Sequence, residues 1–157
     1  MQKVVEVSQY EIERGKPMPS RLHSRVQTNL LVQITNGYGE QYDLLSELSL
    51  ELNDWESVPD ITIYPKTEFD YSADEVRVTT PPLCAIEILS PSQSLNELVS
   101  KAGSYFMHGV TSCWLVFPAL KNIYVFSDPQ NYQIFRADQT LNDPALGISL
   151  ELSQIFK

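Results

Sequence analysis

Cysteine is scarce in this 157-residue sequence, which has only Cys84 and Cys113. Both sit inside apolar runs, where a thiol serves as a small buried hydrophobe. Neither a disulfide framework nor a cysteine-rich zinc site is supported, and both thiols are expected to be free. Long apolar runs are missing too: no stretch approaches the roughly 18 uninterrupted apolar residues of a membrane span. The segment Met1-Gln2-Lys3-Val4-Val5-Glu6 lacks the charged start and apolar core of a signal peptide. A soluble, cytoplasmic protein with no membrane partner is the expectation. Histidine is limited to His23 and His108, which show no metal-ligand spacing. His23 reads as a helix-surface or capping residue and His108 as a helix-end residue favoured by the dipole. No repeat or linker composition divides the chain, so residues 1–157 are expected to form a single domain.

Basic residues are also in short supply, 11 against 20 acidic, for a net charge of −9. Nucleic-acid binding normally draws on a basic surface, so an extended DNA-binding face is disfavoured. The first 25 residues depart from this balance, because Lys3, Arg14, Lys16, Arg21 and Arg25 outnumber Glu6, Glu11 and Glu13. Any phosphate-facing surface is therefore expected near the first helix.

What the sequence does have is Leu83-Cys84-Ala85-Ile86-Glu87-Ile88-Leu89, an apolar run with one carboxylate near its middle. It predicts a buried strand in which Glu87 requires a cation, a hydrogen-bonding set or a raised pKa, since an unpaired buried carboxylate costs several kcal/mol. Upstream, Val58-Pro59-Asp60-Ile61-Thr62-Ile63 places a second acid at the start of another short strand. Downstream, Ser94 and Glu97 have capping-box spacing and open a helix with Leu95, Leu98, Val99, Ala102, Tyr105 and Phe106 along one stripe. Lys101 lies about 60° from Leu98 on that helix, close enough to the apolar stripe to snorkel toward a sheet edge. Two acids and a lysine from consecutive elements can converge on one divalent ion and one scissile phosphate.

The remaining pattern predicts an amphipathic helix after Ser20, with Leu22, Val26, Leu30 and Ile34 on its buried face, ending before Asn36-Gly37. Strands are expected at Leu44–Leu52, Val110–Phe117, Ile123–Phe126 and Tyr132–Arg136, with Ile148–Phe156 returning to the core and 66–80 an exposed loop. Tyr105 and Trp114 read as core aromatics. Glu47 falls on the polar face of its strand and is a possible accessory ligand, although a solvated glutamate is the more ordinary reading. Gln27 is a similar weak candidate for phosphate contact.

These residues carry a resemblance. Gly15-Lys16-Pro17-Met18-Pro19-Ser20 with His23, Pro59-Asp60-Ile61, Glu87-Ile88-Leu89-Ser90-Pro91-Ser92, Lys101, Tyr105, Gly109-Val110 and Trp114-Leu115-Val116 resemble, in order and spacing, the Uma-two family described as putative restriction endonucleases. That family is similar to the P-D-(D/E)-X-K nucleases. The resemblance implies an α/β (α+β) fold with a restriction-endonuclease-like mixed sheet flanked by helices. It also implies Mg2+ as cofactor, with Mn2+ as a substitute, DNA as substrate and a homodimer. It assigns Asp60 and Glu87 as catalytic acids and metal ligands and Lys101 as the catalytic lysine, here on the helix because Leu89 stands at the usual lysine position. The carbonyl of Ile88 completes the implied ligand set.

Two departures bear on activity. The segment 93–100 lacks the arginines usual in the family, and Phe117-Pro118 replaces its aspartate–proline. Three functions remain open: a magnesium-dependent endonuclease, a non-catalytic oligomerisation or regulatory module on the same fold, and a metal-dependent hydrolase of a smaller phosphodiester.

Overall fold

Two serines start the long helices, each by accepting the N–H of the third residue inside. A computed structural model describes residues 6–157. In chain order its elements are α1 (Gln9–Arg14), α2 (Arg21–Tyr38), β1 (Tyr42–Ser46), β2 (Leu50–Leu52), β3 (Trp55–Ser57), β4 (Ile61–Pro65), β5 (Cys84–Ile88), α3 (Leu95–Met107), β6 (Ser112–Phe117), β7 (Asn122–Asp128), β8 (Asn131–Arg136), β9 (Thr140–Asp143) and β10 (Ile148–Glu151). Ser20 caps α2 through the His23 N–H at 3.1 Å, and Ser94 caps α3 through the Glu97 N–H at 3.2 Å.

The central sheet runs β1-β4-β5-β6-β7-β8. Only β5 and β6 are parallel, and α3 is the crossover between them, as a parallel pair requires a long connection. All other neighbours are antiparallel. This is a mixed, mostly antiparallel α+β sheet flanked by helices, the fold class expected from the sequence.

Side chains alternate across the sheet and create two cores. Ile61, Ile63, Ile86, Ile88, Trp114 and Val116 face Val26, Leu30 and Ile34 of α2, with Leu141, Ile148 and Leu150 of the β9–β10 hairpin closing that layer. Ala85, Cys113 and Leu115 face Leu98, Ala102 and Tyr105 of α3, joined by Leu50 and Leu52 of the β2–β3 hairpin. Alternation therefore directs Glu87, two residues after Ala85, toward α3.

Several boundaries differ from expectation for identifiable reasons. The segment Leu44–Leu52 is not one strand, because Glu47 adopts φ 55° and breaks it into β1 and β2. Leu22 is exposed, and His23 takes its place on the buried face of α2. At 100° per residue, Leu30 and Ile34 each fall within about 20° of His23, one on either side, whereas Leu22 is about 100° away from it. The helix also continues through Asn36-Gly37 to Tyr38. The short α1 has a complete capping box between Ser8 and Glu11 and ends at Gly15 with φ 72°. Both thiols are free and buried, and burial pushes both of them up. Among the described residues no helix is long and apolar enough to cross a membrane.

Candidate active site

Asp60 stands immediately before β4, where Pro59 supplies no backbone donor. Its carbonyl is held twice, by the Glu47 N–H at 3.1 Å and by the Gln27 side-chain amide at 3.0 Å. Its carboxylate is fully buried and fully engaged. Oδ2 accepts the Ile88 N–H at 2.7 Å, and Oδ1 faces Lys16 Nζ at 2.5 Å and His23 Nε2 at 3.1 Å. Strand N–H groups alternate in direction, and the Leu89 N–H already reaches Val116 of β6, so the Ile88 N–H points to the β4 side. Asp60 thus replaces a ladder carbonyl just before the start of β4, one residue along β5 from Glu87.

Burial alone would raise the Asp60 pKa, but the His23 hydrogen bond and the Lys16 charge outweigh it and hold the carboxyl down to about 2. His23 Nδ1 is buried without a partner. Nε2 is the ring nitrogen that faces the Asp60 carboxylate.

Glu87 is 1 % exposed and is served from α3. Lys101 and Tyr105 are one helical turn apart and share a face; Oε1 lies 2.8 Å from Lys101 Nζ and accepts the Tyr105 hydroxyl at 2.6 Å. That hydroxyl spends its proton on Glu87, so Ser57 Oγ, 2.7 Å from it, is the donor in the next link. Burial and then the Glu87 charge push Tyr105 well above its ordinary pKa, which keeps the phenol a donor.

The two acids therefore have separate lysines: Lys101 engages Glu87, while Asp60 is paired with Lys16. Both lysines line one cleft of about 490 Å³, together with Ser57, Val58, Trp55 and Arg77. Arg77 pairs with Glu56 on its rim. Glu47 Oε2 lies 3.7 Å from Lys16 Nζ, in a turn rather than on the polar face of a strand. Gln27 is directed to the Asp60 backbone.

Lys16 and His23 are the residues that sequence reasoning undervalued. His23 is buried and bonded to Asp60 rather than exposed, and the signal was its position on the same face as Leu30 and Ile34. Lys16 had a weaker signal, its place between Gly15 and Pro17 in the basic first 25 residues. Of the other basic residues there, Arg25 donates to the Lys157 carbonyl at 3.3 Å and lines no part of the cleft. Lys3 and the Arg14 side chain lie outside the described residues.

Among the described residues no group of three or more His, Cys, Asp or Glu is arranged to hold a metal ion. The donor chemistry nevertheless fits a hard cation. Around Lys16 Nζ converge Asp60 Oδ1, the Val58 carbonyl at 2.9 Å and Glu47 Oε2, and carboxylate and carbonyl oxygens are the ligands magnesium prefers.

The whole arrangement is a mixed α+β sheet with two buried acids, each paired with a lysine that lines one cleft. The profile of the Uma2 family, described as "Putative restriction endonuclease", matches residues 2–153, and the chain belongs to that family. Its fold is similar to the crystal structure of "a putative nuclease belonging to DUF820" from Anabaena variabilis, with a TM-score of 0.76 and 24% sequence identity over 89% of this chain and 83% of the other. No curated protein shows significant similarity to the chain.

Proposed function

We propose that this protein is a magnesium-dependent endodeoxyribonuclease, with manganese as a substitute ion, in which Asp60, Glu87 and Lys101 are catalytic. The observation that carries the reading is the placement of two buried acids, Glu87 on β5 and Asp60 immediately before the neighbouring β4, each beside a lysine that lines the same cleft. Asp60, Glu87 and the Ile88 carbonyl would hold the ion, with Glu47 as an accessory ligand. When bound, the ion supplies Lewis-acid activation of water and of the phosphate.

The chain's own residues do the rest. Tyr105 fixes the Glu87 carboxylate, while Gln27 and the Glu47 N–H fix the Asp60 backbone. Lys101, with its side chain 22 % exposed, is buried enough to be held by Glu87 and open enough to meet a phosphate oxygen. There it offsets the charge that grows as water adds to phosphorus and one bridging P–O bond breaks. A homodimer would provide two such sites for two strands, an extension supported by the family alone.

The test is incubation of supercoiled and linear DNA with purified protein in Mg2+, Mn2+ or EDTA. Cleavage in either metal that is absent in EDTA and eliminated by Asp60→Ala and Glu87→Ala supports the reading. No cleavage across varied substrates would transfer support to a non-catalytic module, which the mutual satisfaction of both acids by lysines also accommodates.

A further inference from the structure

Lys16 makes contacts unlike those of an ordinary surface lysine. It is 8 % exposed, and its ammonium sits among a carboxylate oxygen of Asp60, the carbonyl of Val58 and a carboxylate oxygen of Glu47. Two carboxylates and a carbonyl around one positive point are the donor set of a hard-cation site. The ammonium cannot share Asp60 Oδ1 with a divalent ion, because two cations at hydrogen-bonding distance in a buried place repel strongly.

We infer that Lys16 is a built-in counter-cation that competes with a divalent ion for Asp60 Oδ1 and is displaced from that oxygen when the ion binds. The inference rests on the metal-dependent reading and extends it to regulation. With Lys16 seated, Asp60 has the compensation its burial requires, so the protein is stable without metal. The cost is a competitor within the chain: apparent metal affinity is reduced by the fraction of molecules in which Lys16 is seated.

The surroundings give the side chain somewhere to go. Lys16 follows Gly15, whose φ of 72° suits glycine, and both residues line the cleft that Lys101 also lines. An ammonium that leaves Asp60 enters that cleft and joins Lys101 as a second cation for a phosphate. An anion in the cleft then draws Lys16 away from Asp60 and favours metal binding. By linkage, metal binding favours the anion equally.

Calorimetric titration of Mn2+ into the wild type and into Lys16→Met, each with and without a short DNA oligonucleotide, tests this. Lys16→Met is expected to bind Mn2+ at least tenfold more tightly. DNA is expected to tighten Mn2+ binding in the wild type and not in the variant. Equal or weaker Mn2+ binding by the variant would overturn the inference while leaving metal dependence intact. Absence of Mn2+ binding by both proteins would overturn both. Should Lys16→Met fail to fold, the lysine 15Nζ resonance of the wild type decides: loss or a large shift of the Lys16 signal on addition of Mg2+ supports displacement, and an unmoved signal at saturating Mg2+ overturns it.

Discussion

Tyr105 donates its hydroxyl to Glu87 Oε1 at 2.6 Å, from a position one helical turn beyond Lys101. The pairing couples helix and strand through a buried acid, and a third member, Ser57 on β3, extends it. Removing the hydroxyl leaves Ser57 without its acceptor and Glu87 with a lysine alone. Tyr105→Phe is therefore expected to destabilise the protein by about 1–2 kcal/mol, read as a lower midpoint in urea at unchanged slope. A variant as stable as the wild type would show that this hydroxyl is not needed to satisfy the buried acid.

Lys101 and Glu87 call for a double-mutant cycle. Lys101→Met leaves Glu87 buried and short of its cation; Glu87→Gln leaves the partly exposed Lys101 free to turn to water. The first is expected to cost about 2–3 kcal/mol and the second less, with the double variant recovering part of the loss. Additive single effects would indicate that the pair carries no coupling. If Lys101 also acts on phosphate, the double variant regains stability without regaining cleavage, which separates a stabilising lysine from a catalytic one.

Much of this was legible in the residues. Serine caps at Ser20 and Ser94, the apolar run around Glu87 and the Leu98, Ala102 and Tyr105 face of α3 follow from local rules, because burial periodicity and capping are local properties, whereas Leu95 and Val99, expected on the same stripe, are exposed. The division of Leu44–Leu52 was not legible, since the left-handed turn at Glu47 sits on a residue that rarely adopts it. The pairing of Lys16 with Asp60 was also hidden, as 44 residues separate the two. Sequence spacing indicated that Glu87 needed a cation and offered Lys101; it gave Asp60 no nearby candidate. Strand β9 was missed because its two buried positions, Leu141 and Asp143, include an acid. Asp143 is instead satisfied by Ser112 and Trp114.

Acid titration tests the Asp60 cluster. Its folded pKa, about 2, lies below its ordinary value of 3.8, so the charged form is favoured by folding. That contribution is fully present above about pH 4 and is lost as pH falls toward 2, with a size of about 2 kcal/mol. Asp60→Asn removes this titration while keeping shape. The stability gap between wild type and Asp60→Asn is expected to narrow from pH 4 downward, as followed by thermal melts in matched buffers. A gap independent of pH would mean that Asp60 is not held in its charged form by Lys16 and His23.

The charge balance provides the last prediction. A chain with a net charge of −9 repels DNA at long range, so any binding must come from a few cations concentrated in one place. The cleft offers Lys16, Lys101 and Arg77; Arg77 is on the exposed rim and pairs with Glu51 and Glu56. Each phosphate neutralised releases condensed counterions, so about two or three contacts give a slope of roughly −2 to −3 in log affinity against log salt. Fluorescence anisotropy with a labelled duplex in EDTA measures it without cleavage. Arg77→Ala is expected to weaken binding and reduce the slope by about one, with fold and midpoint nearly unchanged because exposed ion pairs contribute little to stability. Arg25→Ala is expected to leave both slope and affinity unchanged, since Arg25 does not line the cleft. If Arg25→Ala has the larger effect, DNA approaches along α2 and not through the cleft above Asp60 and Glu87.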